Sequence, residues 1–371
     1  MYKFSLVPGA ALLSASLLLS ACGGASSDIQ PTPLPAKVVI GHRGASALRP
    51  EHTIASYTKA IEIGADVIEP DLVSTKDGVL VARHENEISG TTNVADKPEF
   101  AARKQTKKID NVSVTGWFTE DFTLAELKTL RAKERIPANR PENAKFDGQF
   151  EIPTLQEVID LAKAKSIETG RTIGIYPETK HPSYFKSINL PLEKRLIDIL
   201  HANGYRGKTA AVFIQSFEVS NLKEIRKMTD LPIVQLLSGS GQPEDFRLAG
   251  DSRSYADIAS AAGLLEVATY ANGVGPSKEM IIPRDAQNNL GVPTSLVKNA
   301  HAANLVLHPY TFRPENPFLP ANLRKGNVAS LTERGDLAAE LKIFLEAGID
   351  GFFTDDPSIG RAAMDAYLGK K

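Results

Sequence analysis

This chain of 371 residues has one cysteine, one tryptophan and no surplus of either charge. A lone Cys22 cannot close an internal disulfide. Aromatic residues make up 7% of the chain, thin for a site that stacks sugars. The formal net charge is −1, and removing residues 1–21, whose one charged side chain is Lys3, leaves 42 basic against 44 acidic groups, or −2. No basic stripe is available for a nucleic-acid backbone, and no nucleic-acid partner is expected. Hydrophobic residues at 42% and charged residues at 23% are ordinary globular values, which excludes a disordered chain or a multi-span membrane protein. No internal repeat is evident. The length allows two domains, but large α/β barrels occupy 250 residues or more as one unit, and one domain is the expectation.

The N-terminus reads as a targeting segment. Ala10 to Leu19 is a short apolar run, Lys3 is a thin positive region before it, and Leu19-Ser20-Ala21-Cys22 resembles a bacterial lipobox, in which cleavage before the cysteine precedes its lipidation. Residues 1–21 are expected to be a signal peptide, and residues 22–37, with Ser26, Ser27, Pro31, Pro33 and Pro35, a lipidated start and flexible tether. The alternative is an uncleaved anchor. Both readings export the folded part, residues 38–371, and both leave the N-terminus as its only membrane contact, on the periplasmic side of a membrane or at the cell surface.

Beyond Lys37, apolar β-type runs alternate with helical patterns, as in a parallel ring of the TIM-type (β/α)8 kind. Strand candidates are 38–40, 67–73, 79–83, 172–176, 211–214, 233–237, 305–308 and 351–354, with 270–274 a weaker ninth. Thr123-x-x-Glu126, Thr154-x-x-Glu157 and Ser330-x-x-Glu333 read as capping boxes. The last precedes a run that carries Leu337, Leu341, Phe344 and Leu345 on one face and stops before Gly348. Residues 85–150 break the alternation. They are expected to form a small insertion subdomain after the third strand candidate, overhanging the strand ends; their run Arg103–Lys108 reads as a solvated face.

The chemistry-bearing residues gather at strand ends. His42, Glu69, Asp71, His84, Glu178, Lys180, Gln215, His308 and Asp355 lie at or just after the ends of strand candidates, and in a barrel such ends meet at one rim. Glu69 and Asp71, two apart on a strand, point to one face. Asp77-Gly78 between two apolar runs signals a two-residue hairpin, which would pair Asp71 with His84; a longer loop between parallel strands is the other reading. Glu69, Asp71 and Glu178 form a candidate hard-cation site, because carboxylates without cysteine favour an oxygen-loving divalent ion over zinc. Ion pairing with Arg43, Arg83 and Lys180 is the structural alternative. Arg43 offers a planar donor fork and Lys180 a point charge to a phosphodiester anion. His42 and His84 are the acid/base candidates, since near-neutral imidazoles can take and return a proton. Gln215 is a candidate hydrogen-bond donor to phosphate, Phe217 a surface for the organic part of a substrate or a filler of the rim, and His308 and Tyr310 weaker contacts.

With these residues in order, a family resemblance can be named. His42-Arg43-Gly44, Pro50-Glu51-His52-Thr53, Glu69-x-Asp71, Asp77-Gly78, His84, Glu178-x-Lys180, Gln215-Ser216-Phe217 and Thr354-Asp355-Asp356-Pro357 together resemble the glycerophosphodiester phosphodiesterases over about residues 38–360. Arg83-His84-Glu85, Thr91–Lys97 and Leu307–Arg313 look most like the bacterial periplasmic branch. Two positions depart: His52 stands where asparagine is usual, and Glu85 follows His84 where aspartate is common. Neither replaces an acid, base or ligand, so both are read as supports around the site.

The resemblance implies an α/β barrel and a small-molecule glycerophosphodiester substrate. It implies one divalent cation on Glu69, Asp71 and Glu178, with calcium usual in the periplasmic branch and magnesium in others. It also implies cleavage to glycerol 3-phosphate and an alcohol such as choline, ethanolamine or inositol. The route is expected to pass through a cyclic phosphate opened by water, with direct attack by water the alternative. A glycosidase using paired carboxylates would leave the histidines and Arg43 idle. A non-catalytic binding lipoprotein on the same fold predicts gaps in the catalytic set, and none is seen.

Overall fold

The structure is a computed structural model that describes residues 1–3 and 32–370. The lipobox and Cys22 lie outside the described residues. Among the described residues thirteen strands follow in chain order: β1 Val38–Gly41, β2 Val67–Ile68, β3 Asp71–Ser74, β4 Leu80–Ala82, β5 Gln105–Ile109, β6 Val112–Gly116, β7 Gly174–Ile175, β8 Glu178–Thr179, β9 Ile214–Ser216, β10 Ile233–Leu237, β11 Gly273–Pro276, β12 Val306–Leu307 and β13 Gly351–Thr354.

Eight staves form a parallel barrel. β2 with β3 is one stave and β7 with β8 another; β1, β9, β10, β11, β12 and β13 supply the rest. The seam between β12 and β13 is bridged by Asp350 N donating to Leu307 O at 3.0 Å and Phe353 N to Pro309 O at 3.0 Å. The two composite staves break at Pro70 and Pro177, where no N–H exists to continue the ladder. Pairing resumes on the proline carbonyls: Glu178 N donates to Pro70 O at 3.0 Å and Gln215 N to Pro177 O at 2.9 Å. Each stave leads to an outer helix, beginning with Ile54–Glu62 and ending with Pro357–Tyr367.

Several expectations need correction. The 79–83 run is not a stave. β4 pairs antiparallel with β3 outside the ring, and the stave it would have supplied is β11, reached from the weaker 270–274 candidate. The hairpin is real but its register is one residue off: Leu72 faces Ala82, Ser74 faces Leu80, and Arg83 N donates to Asp71 O at 2.9 Å. Asp71 is thus opposite Arg83, not His84. The cause is Thr75, whose Oγ1 accepts from Val79 N at 2.9 Å and closes a three-residue loop with Gly78 left-handed at φ +80°.

Two capping boxes form as read, at Thr123 and Thr154. The third does not, because Glu333 accepts from Asn327 N at 2.9 Å and is spent on a loop. The helix starts later, at Leu337–Glu346, capped by Asp336 accepting from Ala339 N, and its four apolar residues are buried. The tether also ends sooner: Thr32 pairs with Arg171, and Leu34 packs against the lower barrel interior of Val38, Ile40, Val67, Tyr176, Val234 and Phe353.

Residues 85–150 carry the β5–β6 hairpin, short helical turns and the buried Trp117. Most of the Arg103–Lys108 run is exposed, while Arg103 pairs with Glu126 at 2.5 Å and Lys107 with Glu120 at 2.8 Å.

Candidate active site

Register alone sets three of the polar groups side by side. Across adjacent staves Asp71 is level with Glu178 and Glu178 with Gln215, all just past a proline break or at a strand end. Glu69 joins them from the turn before Pro70. One oxygen from each of Glu69, Asp71 and Glu178 lies within 4.8 Å of the others. All three are buried, as are the carboxylate Oδ1 of Asp71 and the amide Oε1 of Gln215, neither of which has a hydrogen-bond partner among the described residues. Buried polar atoms left unpaired are costly, and hard oxygen donors converging on one point suit a divalent cation. The residues therefore fit the expected ion.

The electrostatics agree. Burial, then the charges of Asp71 and Glu178, push the Glu69 carboxyl well above the usual range. Burial and Asp71 outweigh Lys180 and push Glu178 up to about 8. Burial opposes ionisation of Asp71, but Lys180 and His52 hold it well below its ordinary value. His52 is fully buried, with Nε2 2.9 Å from Asp71 Oδ2 and Nδ1 2.7 Å from the Tyr57 hydroxyl.

These carboxylates floor a cavity of about 140 Å³ that is also lined by His42, Arg43, His84, Lys180, Gln215 and Phe217. The His42-Arg43-Gly44 turn enters it through strained backbone. Arg43 is left-handed at φ 57°, its N–H donating to Glu69 Oε2 at 2.8 Å, and Gly44 at φ +92° leaves no room for a Cβ, which would meet Ser56 at 2.4 Å. Arg43 Nη1 reaches Glu51 at 3.0 Å, and Lys180 Nζ lies 2.9 Å from Glu178 and 3.5 Å from His84 Nε2.

The two histidines are held alike. His42 Nδ1 is 2.6 Å from Asp355 Oδ1, and Asp355 Oδ2 accepts from Arg140 at 2.6 Å and lies 3.1 Å from Arg313 Nε. His84 Nδ1 is 2.5 Å from Glu85 Oε1, and Glu85 pairs with Arg135 at 2.7 Å. A carboxylate on Nδ1 fixes the proton there and leaves Nε2 as the acceptor nitrogen. Burial and Arg43 lower the His42 pKa to about 4, and burial, Arg43 and Lys180 lower that of His84 to about 3. Both rings are neutral near pH 7, and an anion that engaged Arg43 and Lys180 would relieve part of that depression.

Sequence reasoning missed this outer layer. Arg135 and Arg140 come from the insertion, whose connection to the site is thus ionic: Arg135 bridges Glu51 and Glu85, while Arg140 bridges Asp355 and Glu315. Their partners lie 50 to 215 residues away, so no local spacing signals them. His308, by contrast, is not among the cavity-lining residues. Its ring is buried against Tyr176 and Phe213, with Nδ1 3.0 Å from the Tyr176 hydroxyl, so the expected substrate contact gives way to a place in the barrel interior. Tyr310 does line the cavity.

Residues 42–359 match the glycerophosphoryl diester phosphodiesterase family. The chain belongs to that family. It is 38% identical over 331 residues to Glycerophosphodiester phosphodiesterase GDPD6 of Arabidopsis thaliana, covering 85% of this chain and 82% of that protein. Against a glycerophosphodiester phosphodiesterase of Haemophilus influenzae the identity is 31% over 324 residues, covering 82% and 86%. The fold also matches an Oleispira antarctica phosphodiesterase solved in complex with the product sn-glycerol-3-phosphate, with a TM-score of 0.55, 19% identity, and 90% and 97% of the two chains covered. That likeness establishes the TIM-barrel architecture of this family member.

Proposed function

We propose that this enzyme, a phosphoric diester hydrolase by family, cleaves glycerol-linked phosphodiesters to glycerol 3-phosphate and an alcohol. The observation that carries the reading is one cavity lined together by two carboxylate-held imidazoles, three converging carboxylates, Arg43 and Lys180. Arg43 and Lys180 hold the phosphodiester anion. One histidine Nε2 accepts the proton of a glycerol hydroxyl as its oxygen forms a bond to phosphorus. The other, which takes up a proton once the bound anion offsets the charges of Arg43 and Lys180, gives that proton to the departing alkoxide as the old P–O bond breaks. Water then opens the cyclic phosphate with the two roles exchanged. Glu69, Asp71 and Glu178 would hold a divalent cation, calcium in the first instance and magnesium as the alternative, which when bound polarises the phosphoryl group and acidifies the hydroxyl.

Release of glycerol 3-phosphate from glycerophosphocholine, with and without chelator, tests this reading. Chelator-sensitive release is expected; full turnover after exhaustive chelation removes the cation. We also propose that the chain is an exported lipoprotein whose mature N-terminus is a lipidated Cys22. Mass spectrometry of the membrane fraction should find lipid on Cys22, and an unmodified residue or another start ends that claim.

A further inference from the structure

A second cavity, of about 320 Å³, adjoins the first and shares Glu178, Lys180 and Phe217 with it. Its far walls come from three places: Asp110 at the tip of the β5–β6 hairpin, Glu218 after β9, and Tyr255 from a short helix beyond β10. We propose that this cavity is the subsite for the leaving alcohol and that it selects an alcohol bearing a positively charged nitrogen. The inference rests on the phosphodiesterase reading and extends it to the substrate class.

Tyr255 is 6% exposed and lines the cavity. Its ring meets Phe217 edge to face, with centroids 6.1 Å apart, and Phe217 meets Tyr310 in the same manner at 6.0 Å. Three aromatic rings thus stand at the junction of the two cavities. Carboxylates surround the phenol: burial and the charges of Asp245, Glu218, Glu178 and Asp110 all push its ionisation upward.

The lysine at this place is already committed. His181 Nδ1 is 2.5 Å from Asp110 and Lys180 is paired with Glu178, while Glu218, 3% exposed, is held only by the N–H and hydroxyl of Ser183. Burial, with Asp245 and Asp110 adding to it, moves the Glu218 carboxyl up to about 8. Four carboxylates, Asp110, Glu178, Glu218 and Glu244, line the cavity against Lys180 and His181, so an anionic head group finds little to bind, while a bound cation would draw Glu218 into its ionised form. A quaternary or primary ammonium finds aromatic faces and carboxylates, the environment in which such cations are bound.

The test compares kcat/KM of the full-length enzyme for glycerophosphocholine and for glycerophosphoglycerol, whose leaving alcohol is neutral, alongside calorimetric titration with choline alone. Wild-type protein should favour the cationic alcohol at least tenfold and bind choline saturably. Glu218→Gln should reduce that ratio at least fivefold and weaken choline binding. Asp110→Asn should do the same with the fold preserved, because asparagine tolerates the φ of 44° at this position. A wild-type ratio near one without choline binding overturns the subsite alone, as does a ratio that neither variant changes. Choline binding that Glu218→Gln abolishes, in a protein that turns over neither diester, overturns the phosphodiesterase reading and with it the leaving-alcohol role, and leaves only a cation-binding cavity.

Discussion

Replacing Asp355 by asparagine should stall proton transfer at His42 while leaving the site filled. Asp355 Oδ1 is 2.6 Å from His42 Nδ1, and its other oxygen faces two guanidinium groups, Arg140 at 2.6 Å and Arg313 at 3.1 Å. An asparagine has one carbonyl oxygen, and the arginines will claim it. The amide NH2 is then turned to His42 Nδ1, which must accept, so the ring proton moves to Nε2 and blocks the nitrogen that faces the cavity. Loss of a positioned base costs about 10²–10⁴ in kcat. KM should change little, because Arg43 and Lys180 are untouched. Breaking buried ion pairs costs about 3 kcal/mol at the low end of the usual range, appropriate here because Arg140 keeps Glu315 at 2.7 Å. Steady-state kinetics on glycerophosphocholine, with nitrogen-15 NMR of the His42 ring, reads both effects. A folded variant with kcat within about fivefold of wild type, or a ring still protonated at Nδ1, refutes the reasoning.

Other expectations follow from the same contacts. Arg135→Met frees Glu85 and leaves Glu51 without one of its two arginines, so kcat should drop about tenfold with His84 less well oriented; unchanged kcat would make the Arg135 bridge purely structural. Adding calcium or magnesium should raise the unfolding midpoint, by the equivalent of about 2.7 kcal/mol at a hundredfold excess over Kd, and Glu69→Gln should abolish the rise; a shift that survives this variant places the ion elsewhere. The unfolded imidazole of His84 takes a proton near 6.5 but the folded one not until about 3. Its contribution to stability is therefore complete above 6.5 and is lost as pH falls toward 3, so His84→Gln should flatten the decline in urea-melt stability across that window. An equal slope in both proteins contradicts the depressed pKa.

Much of the site was legible because it is local. Glu69 and Asp71 flank a proline, His42 follows a short valine–isoleucine strand, and Glu178-x-Lys180 follows another proline, so each can be placed at a stave end from its neighbours alone. What was not legible depends on side chains acting at a distance or on backbone. Thr75 shifts the hairpin register by accepting a hydrogen bond from a backbone N–H, and Glu333 abandons its capping box for a loop amide. β11, Gly-Val-Gly-Pro, has poor strand propensity and is held by its two neighbours. The arginines that secure both histidine–carboxylate pairs sit in the insertion, and only the folded chain brings 135 and 140 to residues 85 and 355.

The most direct test of the account is which bond of glycerophosphocholine breaks, and whether both histidines are needed. Wild-type enzyme with calcium should yield sn-glycerol 3-phosphate and choline. His42→Ala and His84→Ala should each lower that turnover about 10²–10⁴-fold while still binding the ion, and the double variant should lose less than the product of the two. Release of phosphocholine and glycerol instead, or near-normal turnover by either folded single variant, would contradict it.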